Sequence, residues 1–236
     1  MGRVQNPKKG AIDANRSKTF MKMSKEIYVA AKQGGTDPNA NTALRLAIEK
    51  ARAVSTPKDT IERAIKKASG ANDAENFEEI TYEGYGPGGI AILVKCLTDN
   101  RNRTASNVRT AFGKNGGNLG ESGSVAYLFN RKGYLAIARE DLAIDEDAML
   151  EIALDSGAED MITKDYAYEI LTEPNDFLDV QTAIAEAGYQ FVSAEISMMP
   201  TLYTPLAEEN QAQFAKLIAT LEDDDDVQDI YHNCAE

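Results

Sequence analysis

Close to residue 70 this sequence changes in two ways at once, and any fold must accommodate both. Residues 1–70 hold 15 Lys and Arg against 6 Asp and Glu, a net of +9, while residues 71–236 hold 10 against 32, a net of −22. The overall charge of −13 therefore describes neither part. Before the break, apolar residues recur at helical spacing. After it come short β-branched runs bounded by glycines, punctuated by helical stretches. A basic helical module attached to an acidic α/β body is the arrangement that satisfies both signals.

The basic part reads as a polar arm followed by three amphipathic helices. Residues 1–16 carry Arg3, Lys8, Lys9 and Arg16 without periodicity, as a flexible arm would. A first helix is expected from Ser17, as N-cap, to Gln33, stopped by Gly34-Gly35. Phe20, Met23, Ile27, Ala30 and Ala31 form its apolar face. Lys18, Lys22, Lys25 and Lys32 fall within an arc of about 80° on the opposite side. Four lysines on one arc with no acid among them repel one another, so a polyanion is their expected partner. That reading fails if carboxylates from the rest of the chain neutralise them. A second helix, Asn41 to Ala53, presents Leu44, Ala47, Ile48 and Ala51. A third opens at Thr56-Pro57, with Thr56 as cap, and ends at Gly70; Arg63, Lys66 and Lys67 flank its apolar face.

An acidic linker over residues 71–79 leads into the body. Strands are expected at Ile80–Glu83 and Ile90–Thr98, a helix at Asn102–Lys114, and a strand at Ser124–Asn130. Residues 133–196 then read β-α-β-β-α-β, the ferredoxin-like order. Its strands are Gly133–Ala138, Glu159–Thr163, Tyr166–Thr172 and Tyr189–Ile196, with helices Glu146–Ser156 and Pro174–Ala187. The tail supplies one more helix, Leu206–Leu221, and one strand, Val227–His232. A lone helix and strand need a sheet, and the 80–130 segment needs closing elements. The expected architecture is thus α+β and multi-domain: a helical domain over 1–78, a discontinuous α/β domain from 79–132 plus 201–236, and a ferredoxin-like domain over 133–200 inserted into it.

Several motifs point away from chemistry. Tyr85–Gly89 lacks the Lys-Ser/Thr of a phosphate loop and precedes a strand, so it is a hairpin turn. Asp223–Asp226 lacks the spacing of a calcium loop and reads as a solvated turn. His232 is the single histidine, and beside Cys234 nothing orients it as a catalytic base. Cys96 and Cys234 have no metal-ligand spacing and read as reduced thiols. No apolar run reaches the roughly 18 residues of a membrane span, and the N-terminus has no secretory h-region. The expectation is a soluble cytoplasmic binding protein, not an enzyme, without cofactor, metal or membrane. Arg101 and Arg103, at the start of a helix, either contact phosphate or pair with the acidic body.

One series of motifs is specific. It runs Gly34-Gly35-Thr36-Asp37-Pro38, Tyr82-Glu83-Gly84-Tyr85-Gly86-Pro87-Gly88-Gly89, Asp99-Asn100-Arg101-Asn102-Arg103-Thr104, Gly116-Gly117-Asn118-Leu119-Gly120, Gly123-Ser124-Val125-Ala126-Tyr127, Gly157-Ala158-Glu159-Asp160 and Asp225 to Asn233. With it the chain resembles the YebC/PmpR family, which includes the mitochondrial translational activator of cytochrome oxidase subunit one. The resemblance implies an N-terminal helical domain and two α/β domains. It implies either a DNA-binding transcriptional regulator, or a ribosome-associated factor that contacts ribosomal RNA or tRNA and relieves stalling at sequences such as proline runs. The family's N-terminal Lys-Trp segment is absent here, where the chain reads Gly2-Arg3-Val4-Gln5-Asn6-Pro7-Lys8-Lys9. The residues expected to contact nucleic acid are Lys8, Lys9, Arg16, Lys18, Lys22, Lys25, Lys32, Arg63, Lys66, Lys67, Arg101 and Arg103.

Overall fold

The computed structural model describes residues 8–70, 76–140 and 142–235, with side chains from Arg16 onward. In chain order the elements are α1 (Lys8–Gly34), α2 (Thr42–Ala53), α3 (Lys58–Ala68), β1 (Glu78–Tyr85), β2 (Ala91–Thr98), α4 (Arg101–Lys114), β3 (Asn118–Leu119), β4 (Phe129–Ala138), α5 (Glu146–Asp155), β5 (Asp160–Thr163), β6 (Ala167–Thr172), α6 (Phe177–Glu186), β7 (Ser193–Pro200), α7 (Glu208–Glu222) and β8 (Val227–His232). They form two compact units, one of residues 1–124 and 206–230, the other of 125–205 and 231–236.

In the first unit the three helices bury one apolar cluster, with Ile27, Leu44 and Ala51 wholly enclosed and Met23, Ile48, Ile61 and Ala64 around them. Asn41 holds the first corner. Its side-chain oxygen accepts the Leu44 amide at 3.1 Å, and its Nδ2 donates to the carbonyls of Ala30 and Gly35, both at 2.8 Å. One residue thus caps the start of α2 and binds the end of α1. Phe77 brings the chain back after the linker. Its ring meets Tyr28 edge-on, with centroids 5.9 Å apart, and packs on the helical core.

The sheet of this unit has the order β3-β1-β2-β8. β1 and β2 form a hairpin in full register from Glu78↔Thr98 to Tyr85↔Ala91. The Gly-rich run turns it, with Gly88 and Gly89 at φ of 72° and 76°, where a side chain would be strained. β2 is enclosed on both faces apart from half-buried Lys95, as a central strand should be. Gly84 allows α4 to lie close, since a Cβ there would stand 2.7 Å from the Phe112 ring.

The second unit is the expected β-α-β-β-α-β, in the order β5-β6-β4-β7. β4 pairs antiparallel with both β6 and β7.

Four local expectations are corrected. α1 begins at Lys8 rather than at Ser17, because nothing after Pro7 breaks a helix strongly; Ser17 lies inside it, and the basic arm expected over residues 8–16 is helical backbone. Thr56 does not cap α3, since Pro57 takes the cap position and no side chain bonds the first turn. The strands expected at Ser124–Asn130 and Gly133–Ala138 are one strand, β4, preceded by a tight helical turn at Ala126–Leu128. Gly133 does not interrupt β4; it lets Phe177 of α6 approach, for a Cβ would lie 2.7 Å from that ring. Finally, β7 starts at Ser193 and runs to Pro200, after Gly188, at a φ of 98°, ends α6.

Candidate nucleic-acid interface

The lysine stripe of α1 faces the acidic turn between α7 and β8, within the same compact unit. Lys18 pairs with the Asp223 carboxylate and donates to the Asp223 carbonyl at 3.2 Å. Lys22 donates to the Glu222 carbonyl at 2.8 Å. Lys25 donates to the Asp225 carbonyl at 2.9 Å and to Asp226 Oδ1 at 3.2 Å. The sequence places four lysines along one arc of a helix and four acids without cations in one turn, and the fold sets the two together. Carbonyls of residues 222 and 223 also form the negative end of α7, so the ammonium groups meet a helix C-terminus as well as carboxylates. As an open basic face, the stripe does not hold: Lys18, Lys22 and Lys25 are taken up within the chain.

The charges respond accordingly. The hydrogen bond to Asp223 raises the Lys18 pKa and lowers that of Asp223. Lys22 goes the other way, because burial outweighs the nearby acids. Asp226 is the anchor of the arrangement, with its side chain 5% exposed. It accepts from Arg103 Nη2 at 2.7 Å, Arg103 Nε at 3.2 Å, Thr104 Oγ1 at 2.9 Å and Thr98 Oγ1 at 3.2 Å, besides Lys25. Burial pushes this carboxyl up, but the hydrogen bonds from Arg103, Thr104 and Lys25 overcome it and hold the pKa below the ordinary aspartate value.

Arg103, expected to contact phosphate or the acidic body, thus binds acids: Asp226, and Asp99 at 2.8 Å. Its pKa is driven up by hydrogen bonds to Asp226 and then Asp99. The first turn of α4 is closed by Asn100, whose side chain accepts the Arg103 amide at 3.1 Å. Asn107 extends the same contact, donating to Asp224 Oδ2 at 2.9 Å. Sequence reasoning read Asp223–Asp226 as solvated and so missed the partner of the stripe. Lys50 escaped it too: its ammonium lies 2.7 Å from Asp229 and 3.1 Å from Glu26.

A different basic surface is exposed. Lys32, at the end of α1, and Lys67, on α3, both stand over the buried Tyr28 ring, at 5.7 and 5.5 Å from its centroid. Arg63 and Lys66, one turn before Lys67 and beside it, are exposed on the same flank of α3. Arg63 Nε donates to the Asp59 carbonyl at 3.0 Å, which fixes its stem. The aromatic that organises this cluster, Tyr28, carries no signal in the sequence beyond its place next to Ile27. Arg16 lies over Phe20 at 5.8 Å, and Arg101 is exposed at the start of α4. The side chains of Lys8 and Lys9 lie outside the described residues.

His232 Nδ1 accepts the Cys234 amide at 3.3 Å, and burial raises the Cys234 thiol and lowers the His232 pKa, the reverse of an activated nucleophile and base. Burial pushes the Cys96 thiol up to about 12. Among the described residues no group of three or more His, Cys, Asp or Glu could hold a metal ion, and no helix is long and apolar enough to cross a membrane.

Comparison with known proteins gives a consistent picture. Residues 5–71 match the TACO1/YebC protein N-terminal domain, and residues 77–234 the TACO1/YebC second and third domain. A "Probable transcriptional regulatory protein" of Geobacillus sp. (strain WCH70) is 60% identical over 229 residues, 97% of this chain and 93% of the relative. One from Listeria innocua is 56% identical over 226 residues, covering 96% and 93%. The crystal structure of a conserved hypothetical protein from Aquifex aeolicus superposes with a TM-score of 0.83 at 43% identity, over 95% of this chain and 92% of that one. With both family profiles matched in chain order and relatives this similar along their length, the chain belongs to the TACO1/YebC family.

Proposed function

We propose that this protein is a regulatory, nucleic-acid-binding protein rather than an enzyme, that duplex DNA is its polymer, and that it grips the backbone through Lys32, Arg63, Lys66 and Lys67. The observation that carries the reading is the meeting of Lys32 and Lys67 over the Tyr28 ring, with Arg63 and Lys66 exposed on α3 beside Lys67, on a bundle of net positive charge. Such a cluster displaces counterions from phosphates without reading bases, so affinity comes with little sequence preference. The names of the relatives, probable transcriptional regulatory proteins, support a regulatory role. Arg16 and Arg101 are secondary contacts in this reading, and the cytoplasm is the compartment.

The test is the salt dependence of binding to a fluorescein-labelled 20-bp duplex, followed by anisotropy. Replacing Arg63, Lys66 and Lys67 with alanine lowers the log–log salt slope by about 0.9 for each phosphate that is no longer neutralised. An unchanged slope refutes this surface. Tighter binding of a single-stranded RNA of equal length replaces DNA with RNA as the polymer.

A further inference from the structure

We propose that the lysine stripe of α1 is a second polyanion site, masked by the acidic α7–β8 turn, which stands in for a nucleic acid backbone until one displaces it. The inference rests on the reading of the chain as a nucleic-acid-binding protein, but concerns a different surface from the α3 flank.

The geometry separates an anchor from a cover. Asp226 is the anchor, buried and held by Arg103, Thr104, Thr98 and Lys25. Asp223 and Asp225 are the cover. Asp223 has a side chain 78% exposed and pairs with Lys18, itself 36% exposed. Asp225 is exposed and presents its carbonyl to Lys25. Ion pairs this accessible to water are weak, because solvent screens the attraction and holding two flexible chains costs entropy. The contacts to Lys18, Lys22 and Lys25 combine carboxylate and carbonyl oxygens, acceptors whose place the oxygens of a phosphodiester chain can take. A phosphate row can take the place of the Asp223 carboxylate at Lys18 and of the turn's carbonyls at Lys22 and Lys25, whereas Asp226 keeps its bonds to α4 and β2.

The stripe also continues toward the exposed α3 flank, since Lys32 belongs to the arc of Lys18, Lys22 and Lys25 and also sits with Lys67 over Tyr28. A polymer bound at the flank therefore has α1 beside it, and displacing the cover extends the same track.

The test uses the full chain carrying Asp223→Asn and Asp225→Asn, which leaves Asp226 and the Asp224 contacts intact. The labelled 20-bp duplex is the probe. Because the substitution adds two units of charge anywhere it is made, a control carries Glu146→Gln and Asp147→Asn, at the exposed start of α5. The unmasked variant is expected to bind at least fivefold tighter than the control, with a salt slope steeper by about one to two, one step per lysine engaged. Adding Lys18→Gln and Lys22→Gln abolishes that gain, while the same two substitutions in the unaltered chain change affinity less than twofold. Equal affinity of variant and control, or a gain that persists without the two lysines, overturns the proposal. Thermal melting, with variants within a few degrees of the parent, keeps misfolding out of the comparison. Failure of the α3 reading looks different: there the Arg63, Lys66 and Lys67 substitutions leave binding intact.

Discussion

Replacing Asp226 with alanine removes one carboxylate from five donor contacts at once. Arg103 loses two hydrogen bonds, and Thr104, Thr98 and Lys25 one each. Stripping one partner from a fully buried ion pair costs about 3–5 kcal/mol, because the remaining charge is left desolvated. Two features of this site reduce that figure. Arg103 is 46% exposed and keeps Asp99, so water and the second acid take over part of its charge. Thr104 keeps the Asn100 carbonyl as acceptor at 3.1 Å. Lys25, by contrast, is 17% exposed and loses its carboxylate outright. The expected cost is about 2–4 kcal/mol. It is measurable by urea denaturation followed by far-UV circular dichroism, the chain having no tryptophan to report by fluorescence. At about 2–4 °C per kcal/mol for a chain of this size, the midpoint of thermal unfolding falls by roughly 5–15 °C. Asp226→Asn, which keeps the shape and one acceptor oxygen, falls between the two. A loss below about 1 kcal/mol for the alanine variant refutes the argument that this carboxylate ties α1, α4 and β8 together.

Two further outcomes follow from the same structure. Gly133→Ala forces a Cβ against Thr172 and the Phe177 ring, and overpacking of this kind costs about 1–3 kcal/mol, read as a lower thermal midpoint. Acid destabilises the first unit in a definite direction: Asp226 and Asp223 have folded pKa values below their unfolded ones, so their contribution is present above an unfolded pKa of about 3.9 and disappears as pH falls through the lower folded values. Thermal midpoints taken between pH 6 and pH 3 show this loss, and Asp226→Asn makes the curve shallower; an identical slope in that variant refutes the assignment.

What the sequence made legible is whatever depends on local spacing. The apolar faces of α2 and α3, the β1–β2 hairpin on Gly88-Gly89 and the β-α-β-β-α-β order all rest on residues near one another in the chain. The misses share a cause. Gly133 is a strand interruption by local propensity and a packing necessity once Phe177 arrives from 44 residues away. Lys18 and Asp223 are 205 residues apart, and nothing local says that the surplus charge of one segment answers that of the other. The mismatch itself is visible in the sequence, an arc of lysines on one helix and a run of aspartates in one turn. Repulsion within each is relieved by any counter-charge, and an internal one sits at far higher effective concentration than a dissolved polymer.

In the proposed reading, competition between an internal and an external anion decides how a protein of net charge −13 holds a polyanion. Salt screens the Lys18–Asp223 pair and a lysine–phosphate contact alike, so raising ionic strength does not by itself unmask the stripe in favour of DNA. Each lysine that exchanges an internal carboxylate for a phosphate also frees an acid, which gathers a counterion of its own, and the net release per contact is smaller than for a solvated lysine. A site covered in this way therefore adds less salt dependence per lysine than the exposed α3 flank. The two surfaces become distinguishable in a single titration: flank substitutions reduce the slope of the unaltered chain strongly, and stripe substitutions reduce it weakly until Asp223 and Asp225 have been neutralised. On the proposed masking, the internal anion limits nonspecific adhesion of a basic helix while leaving its cations in place for a ligand whose charges are dense enough to outcompete one turn of aspartates.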